Sequence, residues 1–411
     1  MSVVTLNNNQ ISTIAIAAYK QSLGAAAVST ITTKDIVDSG GDPTIIGSRE
    51  QFTKGLINVI IRNWYTDTSY RSQYDDPFYE DAEKFGALMQ AISVDVPAVT
   101  ASSAWTDYTS GSTTVGQYTV YLPVVDTKVF GKSVSWALPI TITDNQWDTA
   151  FHNESEFAGF ISYIWLCVDN ALICHLEVMN AMNRNNFIAE KIAYAGSQGA
   201  TGVHYINLVE KYAKFKGLST LTADSFRQTP AALRYASEQI SLFAGYFQKM
   251  SVLFNTEGKK RFTPKDRLIV EVLEQFEKDL TYNMEADTFH NELVSLPGHR
   301  SIPSWQGLID ANTTDDINFD ALSTINVKID ANTTVNKTGV VALIVDKWAI
   351  VHTFIDRYLA SQRFDINRIT HYEYQYTDRY INNLTMNGLV FTLEDYTAPS
   401  DDNQEAEGGE S

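Results

Sequence analysis

Apolar residues recur every three or four positions over residues 154–195, and this spacing places them on one face of an α-helix. Asp169 and His175 interrupt the most apolar part of the segment, residues 157–179, and an Asp at the centre of a bilayer costs about 2.5–3.5 kcal/mol. We therefore predict a long helix that is buried in a soluble fold rather than in a membrane. Up to residue 184 this helix would be roughly 45 Å long.

Shorter runs of β-branched and aromatic residues predict strands, and other segments with helical spacing predict shorter helices. The clearest strand signal is the alternation of tyrosine with polar residues over 371–376, which is typical of a strand with one exposed face. Strands are predicted over 268–273, 340–346, 371–376 and 387–392, and helices over 10–23, 50–66, 77–92, 205–216, 223–251 and 274–293.

Two extended segments, 118–125 and 133–143, lie on either side of a charged link at 126–132. Both are rich in β-branched and aromatic residues, which favour strands. We interpret them as the two strands of one long hairpin with the charged link at its tip, preceded by a Ser/Thr/Gly-rich loop over 100–116. A two-stranded hairpin is marginally stable alone, so this one is expected to pack on something else.

The charge of the chain narrows the possible functions. The 31 Lys and Arg against 49 Asp and Glu give a formal charge of −18 over 411 residues. This excludes a basic nucleic-acid coat, because phosphate binding needs a surplus of positive charge. Hydrophobic residues make up 44% of the chain, which is too many for a disordered acidic protein. Five of the acids follow Ser400, and we predict that this tail is disordered.

The sequence contains no strong sign of chemistry. It has no phosphate-binding loop, nucleophile elbow or zinc-protease motif. Cys174 and His175 are adjacent in the long helix and would point about 100° apart, so they chelate one metal poorly. Cys167 and Cys174 are two helical turns apart, about 10 Å, which is beyond the reach of a disulfide. We predict no catalytic, cofactor or metal site, no membrane association, no signal peptide and synthesis in a reducing cytoplasm.

The order of the predicted elements is unusual: a polar arm, short helices, a long β excursion, a very long helix, a mixed middle and terminal strands. This order resembles that of tailed-phage major capsid proteins with the Hong Kong 97-type fold, in particular those of short-tailed, phi-29-like podoviruses. The segment 345–348, Val-Asp-Lys-Trp, is the most specific part. The stretches that carry the resemblance are 118–143 (E-loop hairpin), 151–195 (spine helix), 268–280 (axial-domain strand), and 341–348 with 371–380 and 387–392 (return into the peripheral domain).

The resemblance implies an α+β chain with an N-terminal arm, an E-loop, a spine helix, a peripheral domain and an axial domain. It divides the chain into an N-terminal arm at 1–50, the start of the peripheral domain at 51–98, the E-loop excursion at 99–150, the spine helix at 151–200, the axial domain at 201–345, the peripheral return strands at 346–396 and the acidic tail at 397–411.

In this family the arm and the E-loop reach over neighbouring subunits. The resemblance therefore implies self-assembly through hexamers and pentamers into an icosahedral shell around double-stranded DNA, which is enclosed without sequence-specific binding. It also implies a virion location after synthesis in the host bacterium, a separate scaffolding protein and a portal as partners. The candidate inter-subunit contacts are Tyr118, Tyr121, Lys128, Phe130, Lys132, Trp136, Lys259, Lys260 and Arg261.

Two other interpretations stay open at this point. The chain could be another phage structural component, such as a tail or portal-associated protein, which differs from a shell protein in the number of copies per particle. It could also be an acidic cytosolic α/β enzyme with an unrecognised site, which predicts a deep pocket with perturbed titratable groups.

Overall fold

The computed structural model describes residues 16–17, 78–80, 89–96, 125–146, 154–197, 199–285, 296–306 and 317–398. The described residues belong to two compact units that alternate along the chain. The first unit is drawn from Met1–Lys84, Ser133–Ala181 and His352–Tyr380, and the second from Phe85–Lys132, Met182–Val351 and Ile381–Ser411.

The elements are numbered in chain order. The strands are β1 Tyr79–Glu80, β2 Met89–Val94, β3 Val125–Phe130, β4 Val134–Thr143, β5 Tyr205–Asn207, β6 Thr220–Leu221, β7 Leu268–Leu273, β8 Arg300–Ile302, β9 Ile325–Lys328, β10 Thr334–Lys337, β11 Val340–Asp346, β12 Ile350–Phe364, β13 Ile369–Asn382, β14 Gly388–Thr392 and β15 Tyr396–Thr397. The helices are α1 Glu154–Ala195, α2 Leu208–Lys216, α3 Ala223–Gln228, α4 Pro230–Phe247, α5 Glu274–Glu285 and α6 Phe319–Ser323.

The first unit contains a four-stranded sheet in the order β1, β12, β13, β4. The tyrosines Tyr372, Tyr374 and Tyr376 of β13 are buried, whereas the polar residues between them are exposed. This confirms the alternation predicted for 371–376. The first part of α1 buries Ile164 and Val168 in the same unit.

The predicted long helix is confirmed as the single 42-residue helix α1. Its second part, from Met182 onwards, belongs to the second unit, where Phe187 and Ile188 have no exposed surface. Apolar residues at helical spacing thus continue to direct burial to the end of the helix.

The second unit is built on a five-stranded sheet in the order β5, β14, β11, β7, β8. All seven residues of the central strand β11 are buried, which explains why its sequence is an apolar run and not an alternation. The strands predicted over 268–273, 340–346 and 387–392 are confirmed as β7, β11 and β14, although the short strand β15 follows the last of them.

Two helical predictions of the second unit change in detail. The segment 205–216 begins as a strand, β5, and becomes helical only at Leu208, where the side chain of Asn207 accepts a hydrogen bond from the Val209 amide. The segment 223–251 is two helices, because Pro230 starts α4 at a position where its missing N–H costs no hydrogen bond.

The prediction that 126–132 is the tip of a hairpin is wrong, and the predicted strand 118–125 lies, except for Val125, outside the described residues. Strand β4 pairs along its whole length with β13, from Val134 opposite Asp378 to Thr143 opposite Ile369. Strand β3 instead pairs antiparallel with β2. Residues 126–132 are therefore not a tip: they form most of β3 and the link to β4, and the partner of each strand lies far away in the sequence.

The helix predicted over 77–92 is also wrong where the structure describes it, since β1 and β2 lie in this segment. Pairing with strands from distant parts of the chain overrides the helix propensity of its Ala, Leu and Met residues. The helix predicted over 50–66 and most of that predicted over 10–23 lie outside the described residues.

Candidate assembly surfaces

The antiparallel ribbon formed by β2 and β3 has one apolar face that is open to solvent. Side chains alternate between the faces of a strand, so Ile92 and Val94 share a face with Val125 and Val129. These four side chains are 54–66% exposed. We call them the apolar ribbon face. A contiguous group of exposed apolar side chains on a soluble protein marks a site of interaction.

The opposite face of the ribbon is charged and pairs with a loop of its own subunit. The Lys259 ammonium lies between three carboxylates: it binds Asp126 directly and is 3.7 Å from Asp95 and 3.5 Å from Glu257. The hydrogen bond between Lys259 and Asp126 lowers the pKa of Asp126 and raises the pKa of Lys259.

Glu257 extends this arrangement, because it also pairs with Lys128 of β3 at 2.8 Å and with Arg261 at 3.7 Å. Three acids and three bases thus meet at one place, which we call the ribbon ion cluster. Its members are Asp95, Asp126, Lys128, Glu257, Lys259 and Arg261.

The loop that carries Lys259 is fixed by its own backbone contacts. The fully buried Asn255 donates to the Lys259 carbonyl at 2.7 Å and accepts from the Lys259 amide at 3.0 Å. Gly258 has a φ of 64°, a conformation that L-residues rarely adopt. The Thr256 amide donates to the Leu384 carbonyl. Lys259 is therefore presented by a rigid turn and not by a free loop tip.

A second apolar surface follows the end of α4. Leu242 and Tyr246 are one helical turn apart on α4 and are both about 42% exposed. Ser251 forms an antiparallel bridge with Arg261, and this bridge aligns the exposed Met250 with the exposed Phe262. We call these four apolar residues the α4 surface.

A buried ion triad supports the sheet of the second unit. The Glu271 side chain on β7 has no exposed surface and lies 2.8 Å from Arg184 of α1 and 3.5 Å from Arg300 of the neighbouring strand β8. The buried carboxylate offsets the like charges of the two guanidinium groups, so removing it would leave two positive charges close together.

Lys191 joins the end of α1 to two loops. Its fully buried ammonium donates to the backbone carbonyls of Phe254 at 3.1 Å, Leu384 at 3.2 Å and Met386 at 3.4 Å. Burial lowers its pKa to about 7, whereas the three carbonyls favour the charged form. The residue acts as a structural connection among three segments.

The nine predicted contact residues have different environments. Tyr118 and Tyr121 lie outside the described residues. Trp136 packs its ring against His175 within the first unit, with 4.5 Å between the ring centroids. Phe130 is half-buried, and Lys132 and Lys260 are exposed. Lys128, Lys259 and Arg261 are brought together in the ribbon ion cluster, inside one subunit.

The apolar ribbon face is not among the contacts predicted from the sequence. The signal was present, because Ile92, Val94 and Val96 alternate with polar residues, as Val125 and Val129 do along β3. The helix predicted over 77–92 covers the start of this alternation, at Ile92, and hides it. Glu257 and Asp95 were missed because pairing across a distant loop leaves no local pattern.

Nothing among the described residues favours a metal or a membrane. In the part of the chain that the structure covers, no three His, Cys, Asp or Glu residues are placed to hold a metal ion. None of the helices in the described ranges is long and apolar enough to cross a membrane.

The described residues combine buried cores with exposed apolar surfaces, and the comparison with protein families identifies the class of protein. The family model described as Phi29-like phage major capsid protein matches residues 9–392. The chain therefore belongs to the family of Phi29-like phage major capsid proteins. Among curated proteins, none is similar enough in sequence to count as a relative.

The comparison with solved structures finds phage capsids of low sequence identity. The capsid of Staphylococcus phage Andhra is 9% identical with a TM-score of 0.49, covering 77% of this chain and 83% of that chain. The mature capsid of bacteriophage PhiM1 is 11% identical with a TM-score of 0.40, covering 79% and 88%. The capsid of cyanophage P-SCSP1u is 12% identical with a TM-score of 0.40, covering 77% and 86%.

The family membership confirms the class predicted from the order of the elements. The protein is a mixed α+β major capsid protein that forms the shell of the phage head, and it is a structural component of the virion rather than an enzyme. The alternative interpretations as a tail or portal-associated protein and as an acidic cytosolic enzyme are thereby excluded.

Proposed function

We propose that the chain builds an icosahedral shell of hexamers and pentamers in which the apolar ribbon face of each subunit packs on a second copy of the chain. The observation that carries the proposal is this face itself. Four apolar side chains are open to solvent on a two-stranded ribbon, which is a marginal structure without further packing. A shell supplies such a partner at every subunit.

The subdomain assignment belongs to the same proposal. The arm is 1–50, α1 is the spine helix, 201–345 is the axial domain and the strands over 346–396 return to the peripheral domain. The β2–β3 ribbon moves the start of the E-loop from the predicted residue 99 to β2, so that the excursion runs between β2 and β3. Its two strands form the base of the excursion.

The α4 surface supports a second contact between subunits. Its apolar side chains occur at the end of a helix and in the adjoining bridge, within the proposed axial domain. In a ring of identical subunits, such a surface would be covered by the next copy around the axis. Residues of this kind, large and apolar or aromatic, are typical of the centres of interfaces.

Packaged double-stranded DNA, a separate scaffolding protein and a portal are the further partners that we propose. The charge of −18 suits a container that must not hold DNA tightly. Residues 1–50 lack the charged, coiled-coil character of a built-in scaffold, which favours a separate one.

Assembly of the purified chain, with and without the scaffold, tests the proposal. In the double variant Ile92→Asp, Val129→Asp, two carboxylates would have to be buried in the contact, so the yield of shells should fall at least about tenfold. Asn332→Asp, which adds a negative charge at an exposed turn, is the control and should assemble as the unaltered chain does. Electron microscopy and sedimentation measure the yield and the symmetry.

Unfolding curves of the unassembled variants establish that the substitutions do not act on folding. The sites are more than half exposed, so the midpoints should stay close to that of the unaltered chain. Normal shells from the double variant would show that the ribbon face is not a contact between subunits.

A further inference from the structure

The two faces of the β2–β3 ribbon have different contacts available, because alternation along the strands places the ion pairs on one face and the four exposed apolar residues on the other. Ile92 and Val94 point to the open face, and Ser93 and Asp95 point to the face that carries the ion pairs. A contact that holds the charged face against its own subunit therefore leaves the apolar face free for another one.

The ribbon ion cluster is suited to hold the ribbon reversibly. Its three acids and three bases balance, so closing it leaves no net charge. Several members are partly open to solvent: the side chains of Asp126 and Lys128 are 51% and 46% exposed. Ion pairs at such sites are individually weak and are screened by salt.

Among the described residues, the two sides of the cluster are held by different structures. Lys259 sits on a rigid turn, held from both sides of its peptide by Asn255. The other side is a two-stranded ribbon whose strands β2 and β3 pair with each other. Loss of the ion pairs would thus release the ribbon while the turn stays in place.

We propose that the ribbon ion cluster is a salt-dependent clip that holds the β2–β3 ribbon against its own subunit before assembly. The clip fixes the direction in which the apolar ribbon face is presented to a second copy of the chain. This role rests on the proposed packing of that face in the shell. In a closed clip the ribbon is oriented before contact. This lowers the entropic cost of ordering the ribbon during assembly.

Hydrogen exchange of the unassembled subunit measures the clip without reference to assembly. The amides of β2 and β3 should exchange slowly in about 0.01 M salt, where the Debye length is about 30 Å, and faster in about 1 M salt, where it is about 3 Å. We expect an increase of roughly two- to fivefold, which is the range for partly exposed ion pairs. Amides of the buried strand β11 should not respond.

Substitutions assign the effect to Lys259. Lys259→Glu should exchange at low salt as the unaltered chain does at high salt. Lys260→Glu makes the same charge change at the next residue, which is exposed and makes no ion pair within the described part of the chain, and it should leave exchange unchanged. Adding Asp126→Lys to Lys259→Glu restores a pair of opposite charges and should recover slow exchange.

The outcomes distinguish the clip from the proposed packing of the apolar ribbon face on a second copy of the chain. Equal exchange in Lys259→Glu and Lys260→Glu, or no response to salt, would overturn the clip even if the ribbon face proves to be a contact. The double variant Ile92→Asp, Val129→Asp should lower the yield of shells and leave the exchange of the ribbon slow, whereas Lys259→Glu should slow assembly at low salt. If Lys259→Glu does not fold, Lys128→Gln replaces it. This variant removes the ion pair between Lys128 and Glu257 and should give a smaller increase in exchange.

Discussion

Glu271 shows how a single buried charge can be tolerated in the core of a shell subunit. It lies between Arg184 and Arg300, which come from a helix and from the adjacent strand, so it connects α1 to the sheet of the second unit. The two guanidinium groups provide the electrostatic stabilisation that the carboxylate loses when it is removed from water.

Replacement of this residue should destabilise the unassembled subunit strongly. Glu271→Ala leaves two arginines facing each other without their carboxylate, and the free energy of unfolding should fall by roughly 3–5 kcal/mol. Urea unfolding followed by circular dichroism measures the change. Glu274→Ala breaks an exposed pair with Lys278 one helical turn away, and it should have little effect. Similar losses in the two variants would contradict a stabilising role of the triad.

Lys191 should give the stability of the subunit a distinctive pH dependence. Its pKa of about 7 in the folded state is lower than in the unfolded chain, so between pH 7 and about 10 the unfolded state binds more protons. Stability should therefore rise with pH in this window, by at most about 1.4 kcal/mol per pH unit. Below pH 7 the lysine is protonated in both states and its contribution is constant.

The variant Lys191→Met isolates this effect. The difference in unfolding free energy between the unaltered chain and Lys191→Met should grow in favour of the unaltered chain as the pH rises from 7 to 9. A difference that does not change with pH would show that the three carbonyls keep the ammonium charged across the whole range.

At the scale of elements, replacing a glycine by alanine should change the unfolding free energy in opposite directions at two positions. A Cβ added to Gly388 on β14 would lie 2.6 Å from the Phe187 ring and 3.2 Å from the Lys191 side chain. Gly388→Ala should therefore lower the unfolding free energy by roughly 1–3 kcal/mol. Gly245 in α4 is exposed and has nothing within 4 Å of an added Cβ, so Gly245→Ala should raise it by about 0.5–1 kcal/mol. Thermal or urea unfolding compares the pair, and the same sign in both would contradict the packing around β14.

Elements that are specified by their own residues could be predicted from the sequence. The helix α1 and the strands β7 and β11 were found because burial repeats at a local period. The partner of β4 could not be found, because β13 lies more than two hundred residues away and strand alternation does not name a partner. The wrong assignment of a hairpin tip to 126–132 followed from the assumption that neighbouring strands pair with each other.

The candidate assembly surfaces, too, could be predicted only where the signal is local in the sequence. Lys128, Lys259 and Arg261 are predicted from the sequence as candidate contacts between subunits, and the structure pairs them with Glu257 inside one subunit. A charged residue in the sequence is expected to be exposed or paired, but the sequence does not indicate its partner. The apolar ribbon face could have been predicted from its alternation if the segment had been treated as a strand.

At the scale of the whole molecule, sequence order and spatial grouping differ. Each compact unit takes its residues from three separate stretches of the chain, and α1, β12 and β13 each contribute to both. Linear boundaries such as 201–345 for an axial domain therefore describe only part of a unit. The prediction of a family from the order of elements succeeded because it did not depend on these boundaries.

The net charge leads to a prediction about the contents of the shell. With 31 basic and 49 acidic residues, the subunit repels a polyanion on average, and the described basic residues of the ribbon ion cluster are already paired. Purified subunits should therefore not retain a double-stranded DNA fragment in a gel-shift experiment at about 0.15 M salt, where the Debye length is about 8 Å. Lys259→Glu and Lys260→Glu should behave alike in this experiment, although only the first alters ribbon exchange. Retention of DNA that weakens steeply with salt would reveal phosphate contacts and contradict a shell that encloses DNA without holding it.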